Sequence, residues 1–266
     1  MTTDSPSPAL APRADPAADA LPLVVIPTYC EAATLPALLE ALLAGQPPVH
    51  VLVVDDASPD GTALAVRRHA AFDRRVFLLA RPAKRGLGSA YRDGFQWALQ
   101  RGYSPVIEMD ADFSHDPADI PRLLQAIADG AEIAVGSRYL AHGRVEQWPW
   151  YRRWLSRGGG WYARLLTGLR GTDPTSGFKA LRADALRRLD WSLIQCDGYA
   201  FQIAVNYFAG EAGLRLREIP IVFTERRDGE SKLSAAVILE AVGYMLRLGA
   251  RRLRRSLTVR SGRRSG

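Results

Sequence analysis

The stretch VIEMDADFSH, residues 106–115, decides how this chain is read. An apolar run of strand length leads straight into Asp110, Ala111 and Asp112, and a Ser-His pair follows. A buried strand ending in carboxylates puts them on a sheet edge, where α/β proteins bind their ligands. Residues i and i+2 of a strand share a face, so Asp110 and Asp112 are expected to aim at one point, with small Ala111 allowing close backbone approach. Two hard oxygen donors without imidazole or thiolate favour Mg²⁺ or Mn²⁺ over zinc. Such an ion keeps positions open for phosphate oxygens and stabilises charge on a departing pyrophosphate. D-x-D alone is a common tripeptide; its place at a strand end gives it weight.

Outward from this stretch, apolar runs alternate with helical patterns. LPLVVIP (21–27) precedes TLPALLEALLAG (34–45), VHVLVVDDAS (49–58) precedes TALAVRRHAA, and RVFLLA (75–80) precedes SAYRDGFQWALQRG. PVIEMD precedes DPADIPRLLQAIADG, and AEIAVGSR closes the series. Nearly continuous apolar strands, each followed by a helix, predict an α/β domain with a mostly parallel sheet covered on both faces. The carboxyl ends of these strands carry PTYCE, DDASPDGT, DADFSH and GSRY, so the unusual chemistry gathers on one rim.

Beyond about residue 145 the pattern changes to a Trp- and Arg-rich segment, the turn-rich GTDPTSGF, a helix near 199–211, a strand candidate LRLREIPIVFTE, the loop RRDGESK and a last helix. This half reads as the acceptor side of the same catalytic unit. The expected organisation is a disordered leader over 1–20, a catalytic domain over 21–235, an amphipathic helix over 236–255 and a basic tail over 256–266.

The chain has 266 residues, 47% hydrophobic and 24% charged, with a net charge of +7. That excess suits an acidic partner: nucleic acid, anionic lipid headgroups or a phosphorylated substrate. Two cysteines, Cys30 and Cys196, give no disulfide framework and suit a reducing compartment. The first twenty residues lack the basic and apolar regions of a signal peptide. The sequence shows no run of about 20 uncharged apolar residues of the kind a membrane-spanning helix needs. AAVILEAVGYMLRLGA (235–250), followed by Arg251, Arg252, Arg254 and Arg255, reads either as a core helix with a solvated basic end or as a helix lying on an anionic bilayer.

Around the rim, Asp60 and Gly61 are accounted for by turn chemistry. Asp56 sits where a base or ribose could be hydrogen-bonded, and Glu31 has the same ambiguity between helix-start charge and nucleotide contact. KRGLGSAYRDG lacks the third small residue of a dinucleotide fingerprint, and no G-K-[ST] occurs; Lys84, Arg85 and the following helix start could still attract a phosphate. Arg138 lies at a strand end, and Arg152 and Ser156, spaced i and i+4, share a helix face. Each arginine alone is by default a solvated one; together they suit bidentate phosphate binding. RRDGESK has the composition of an ordinary charged loop and of a closing one. His115 reads as a structural residue.

IPTYCE, VVDDASPDGT, MDADFSH, GSRY, RRWLSRG, TDPTSGF and RRDGESKL occur in the order found in dolichyl- and polyprenyl-phosphate mannosyltransferases, and over about residues 21–235 the chain resembles that family of inverting GT-A-fold glycosyltransferases. The resemblance implies that Pro27, Tyr29, Glu31, Val54 and Asp56 line the guanosine side of a GDP-mannose pocket. It implies that Asp110, Ala111 and Asp112 hold a divalent metal and the diphosphate, that Arg226 and Lys232 close over the diphosphate, and that Arg138, Arg152 and Ser156 grip the phosphate of a polyprenyl acceptor. Cys30 stands where Asn is common, Ser114 stands where some relatives have a Gln metal ligand, and the transmembrane helices of some relatives are not found. The enzyme is therefore expected on the cytoplasmic face of a membrane, held peripherally or through a membrane-spanning partner. Another sugar nucleotide such as UDP-glucose is the near alternative. A basic nucleic-acid-binding protein is the distant one, with no recognisable nucleic-acid fold and no use for the acidic rim.

Overall fold

The computed structural model describes residues 21–196, 198–224 and 235–262. The expected leader and the residues Arg226 and Lys232 lie outside them. Six strands run parallel in one sheet: β1 (Leu23–Thr28), β2 (His50–Asp55), β3 (Val76–Ala80), β4 (Val106–Glu108), β5 (Ile133–Ser137) and, later in the chain, β8 (Leu216–Pro220). β6 (Arg144–Val145) and β9 (Val222–Phe223) form a separate two-stranded ribbon, while β7 (Lys179–Leu181) inserts antiparallel between β4 and β5. The order across the large sheet is β3-β2-β1-β4-β7-β5-β8. The helices are α1 (Leu35–Ala44), α2 (Thr62–Arg68), α3 (Leu87–Gln100), α4 (Ile120–Ala128), α5 (Trp150–Thr167), α6 (Ala183–Arg188), α7 (Gly198–Glu211) and α8 (Ala235–Gly262).

The continuous apolar strands are explained by burial on both faces. Leu23 and Val25 of β1 and Leu52 and Val54 of β2 join the core under α3 and α7. Their neighbours Val24, Ile26, Val51 and Val53 join the opposite core with Leu38 and Leu42 of α1 and Leu123 of α4. Alternate side chains thus enter two different cores, so a period-2 polarity pattern is absent. Gly94 lets α3 settle on the sheet: a Cβ there would lie 2.5 Å from Val25 Cγ1 and 3.2 Å from Val54 Cγ2.

Three expectations need correction. β4 ends at Glu108, so Asp110 and Asp112 lie in the loop beyond it. The cause is turn chemistry: Asp112 Oδ1 accepts from the Ser114 N–H at 3.0 Å, and Phe113 between them takes a left-handed φ of 59°. The single strand candidate LRLREIPIVFTE is two strands in two sheets. Helix α8 continues to Gly262, through most of the expected tail, and Tyr244, Met245 and Leu248 bury its inner side in the core. The core-helix reading therefore accounts for the inner face of that segment, while Leu246 and Leu253 stay exposed on its outer face.

Candidate active site

Parallel strands in register bring their carboxyl ends level: Thr28 pairs with Asp55 and Ser137 with Pro220. The loops leaving β1 and β2 are sewn together there. Asp55 Oδ1 accepts from the hydroxyls of Thr28 at 3.1 Å and Ser58 at 2.6 Å. Ser58 Oγ accepts from Cys30 N–H, and Thr62 Oγ1 accepts from Glu31 N–H, each at 3.0 Å. Asp60 accepts from Thr62 N–H and from Ala32 N–H. Burial opposes its charge, but the bonds from Thr62 and Ala32 win and hold its carboxyl below the usual range. This stitching presents Tyr29 and Pro27, both half-buried, and Glu31 at the rim. Lys84 Nζ lies 3.6 Å from the Tyr29 ring centroid, a cation–π contact that brings the β3–α3 loop over the β1 loop.

Asp56 is buried and fully engaged. Its carboxylate accepts from Arg81 Nη1 at 2.7 Å, from Arg85 N–H at 2.9 Å and from Gly86 N–H at 2.8 Å. The N–H groups expected to attract a phosphate at the start of α3 therefore hold an internal anion, Asp56 itself. Val54 is wholly buried, its side chain under α3 and not on the rim.

The acidic loop after β4 sits over a buried polar floor. Asp112 is buried, whereas the Asp110 side chain is 33% exposed and opens toward the rim. Beneath them Lys179 Nζ lies 3.4 Å from Glu108 Oε2, both fully buried, and Lys179 also donates to Gln202. Burial pushes Glu108 up and Lys179 down, each opposed by the other's charge. Burial also raises Tyr91 well above its usual value, reinforced by the negative charges of Asp110, Glu108 and Asp112. His115 stacks on Phe178 at 5.0 Å, with Nδ1 3.9 Å from Asp110 Oδ2. Burial lowers its pKa to about 4, against the attraction of Asp112, so the ring is neutral near pH 7.

The donor set fits a hard divalent cation. Among the described residues no three His, Cys, Asp or Glu converge to cage a metal. Asp110 offers a carboxylate at the open edge with buried Asp112 behind it, and among the described residues the buried Ser114 Oγ next to them has no hydrogen-bond partner. An ion held by so few protein oxygens takes its remaining ligands from substrate or water.

Across the rim, Arg138, Arg152 and Ser156 come together around aromatic rings. Arg152 lies 4.5 Å from the Trp148 ring centroid, and Arg138 lies 5.9 Å from the same ring. Tyr139 Oη donates to Ser156 Oγ at 2.7 Å, tying the β5 loop to α5. Arg138 itself is buried against Asp173, with Nε and Nη2 each 2.7 Å from a carboxylate oxygen. Glu218 supports that pair by accepting from Asp173 N–H at 2.9 Å. A cavity of about 690 Å³ opens behind this loop, lined by Asp173, Asn206, Glu211, Glu218 and Arg252. It is separate from the acidic rim. Sequence reasoning missed the partners Asp173, Lys179 and Gln202; the charge of Glu108 inside an apolar strand was the available signal.

The Glycosyl transferase family 2 model matches residues 23–190. The chain is 46% identical over 230 residues to the polyprenol monophosphomannose synthase of Mycolicibacterium smegmatis, covering 86% of this chain and 87% of that protein. It is 45% identical to the undecaprenyl-phosphate mannosyltransferase of Micrococcus luteus, covering 85% of this chain and 93% of that protein. It is 35% identical to the dolichol-phosphate mannosyltransferase of Pyrococcus furiosus, covering 85% and 62%. The solved glucosyl-3-phosphoglycerate synthase of Mycobacterium tuberculosis superposes with a TM-score of 0.64 at 17% identity, over 86% of this chain and 80% of that one, a likeness of GT-A fold. Matched over well more than half its length, with its rim of carboxylates at the strand ends, the chain belongs to glycosyl transferase family 2.

Proposed function

We propose that this glycosyltransferase moves mannose from GDP-mannose to a polyprenyl phosphate with inversion, giving polyprenyl-phosphate mannose and GDP. One observation carries the acceptor and the sugar: the relatives at 46% and 45% identity, aligned over 85–86% of this chain, are named for mannosyl transfer to polyprenol or undecaprenyl phosphate. The donor nucleotide and the stereochemistry rest on the order of the seven sequence motifs.

In this reading Tyr29, Glu31 and Pro27 form the nucleoside side of the donor pocket. Asp56 acts by holding the 81–86 loop, with Lys84, against it. Asp110 and Asp112, with the backbone at Ala111, hold Mg²⁺ or Mn²⁺ beside the diphosphate. Such an ion supplies neutralisation of charge on the departing nucleotide. Arg226 and Lys232 close over the diphosphate.

Arg152 and Ser156 receive the acceptor phosphate, with Arg138 set beneath them by Asp173. A phosphate monoester has a second pKa of about 6 and is already largely anionic at neutral pH, so its oxygen can attack the anomeric carbon without a protein base. The chain's tasks are to bring two anions together against their repulsion and to exclude water. The neutral His115 ring fits this division: it packs beside Asp110 and adds no charge there.

The test is transfer from radiolabelled GDP-mannose to purified polyprenyl phosphate, with UDP-glucose and GDP-glucose in parallel. Label in a mild-acid-labile lipid from GDP-mannose alone is expected. Transfer only from a uridine donor would reject the donor assignment.

A further inference from the structure

Helix α5 carries a surface that transfer chemistry does not use. Trp150 is 74% exposed, Trp154 73%, Trp161 60% and Leu165 60%. At 3.6 residues per turn these four fall within about 60° of arc, and exposed Tyr151 and Leu155 extend the same side. The opposite side is buried, through Gly160, Ala163 and Thr167. Arg153 and Arg157, both exposed, line one edge of the apolar arc.

Helix α8 continues this surface. Its Gly249 packs on Leu166 of α5, where a Cβ would meet the Leu166 carbonyl at 3.4 Å. Going round α8, the core face of Tyr244, Met245 and Leu248 comes first, then the α5 contact, then Leu246 and Leu253, which are 52% and 64% exposed. Going round α5, the order is the same: core, Leu166, then the tryptophans. Both apolar arcs therefore face outward on one side of the pair. Neither α5 nor residues 241–255 contain an Asp or Glu, and exposed Arg247 and Arg254 add positive charge.

We propose that this outward face of α5 and α8 seats on an anionic lipid bilayer, with the three indoles in the headgroup layer and the arginines against lipid phosphates. Indoles suit that layer because an apolar ring and one N–H donor match a boundary between hydrocarbon and water. Arginines beside them meet the negative surface potential, and the missing carboxylates remove the repulsion that would oppose it. A water-exposed role leaves three tryptophans on one helix side without a reason. The acceptor reading gives the surface its purpose, because Arg152 and Ser156 lie on the same helix, but the two can fail separately.

The experiment uses the full chain, vesicles of phosphatidylcholine alone or with phosphatidylglycerol, and brominated acyl chains as quenchers of tryptophan fluorescence. The wild type is expected to co-sediment with the anionic vesicles and to be quenched by shallow bromines. Replacing Trp150, Trp154 and Trp161 by Ser should lower the partition coefficient by at least about tenfold. The exchanged side chains are exposed, so circular dichroism should not change. Sugar transfer to a short-chain, water-soluble acceptor phosphate should persist in this variant. Equal vesicle binding by variant and wild type would overturn the proposal. So would a wild type that ignores every vesicle and binds native membranes only before they are proteolysed, which would give the face to a membrane protein. Vesicle binding without any sugar transfer would leave this surface standing and sink the proposed reaction.

Discussion

Arg138 and Asp173 meet fork to fork, with two bonds of 2.7 Å and a third from the Arg138 N–H at 3.0 Å, in a setting where Asp173 has no exposure. Burial works against the Asp173 charge, but the Arg138 guanidinium overcomes it and holds the carboxyl below its usual range. Removing one member strands the other. Asp173→Ala should destabilise the fold by about 3–5 kcal/mol, read by urea unfolding, whereas exchanging both for apolar residues should cost less. A loss under about 1 kcal/mol would show that the pair is not closed in solution. The pair also makes a pH prediction. A depressed carboxyl gives stability that is complete above its unfolded value of 3.8 and is lost as pH falls through the lower folded value. Asp173→Asn should remove that part of the acid dependence.

Asp110 and Asp112 should separate in what they do. Asp112 is buried and caps its own loop, so Asp112→Ala should lower transfer and also loosen the 110–115 loop. Asp110 is partly exposed, and Asp110→Asn should leave the melting temperature close to wild type while lowering kcat by about 100-fold or more. EDTA should abolish wild-type transfer, with Mn²⁺ or Mg²⁺ restoring it. Full activity in chelator, or in both variants, would remove the metal from the reading.

Asp56 holds a loop by its charge. Asp56→Asn keeps the size but removes the charge and turns one of the two oxygens that serve Arg81, Arg85 and Gly86 into an NH2 donor, and should cost about 2–3 kcal/mol. Donor KM should rise with it, since Lys84 rides on the same loop. An unchanged KM alongside lost stability would confine Asp56 to the fold.

Gly94→Ala tests the packing that sets the rim. The added methyl meets Val25 in the middle of β1 and Val54 near the end of β2, and overpacking should cost about 1–3 kcal/mol. Thermal unfolding reads it directly, and a neutral result would mean that α3 can shift without cost.

The α/β alternation was legible because each strand and helix is written in local pattern. His50–Asp55 falls within its predicted run, Leu23–Thr28 passes the end of its run at 27 by one residue, and the helix over Leu35–Ala44 lies within one residue of its predicted bounds at each end. β7 was not legible: three residues, Lys179–Leu181, including a buried lysine, carry no strand signal and are extended only because β4 and β5 flank them.

That carboxylates and arginines gather at the strand ends could be read from the chain alone, since position along a strand sets which end a residue reaches. Which of those charges are neutralised internally emerged with the folded arrangement. Asp56 finds Arg81 at a separation of 25 residues, and Arg138 finds Asp173 at 35. It likewise decided that the tryptophan side of α5 points away from the core, because periodicity defines an apolar stripe but not the direction it faces. Charge pairing and facing depend on what the folded chain brings alongside, and no local pattern encodes that neighbour.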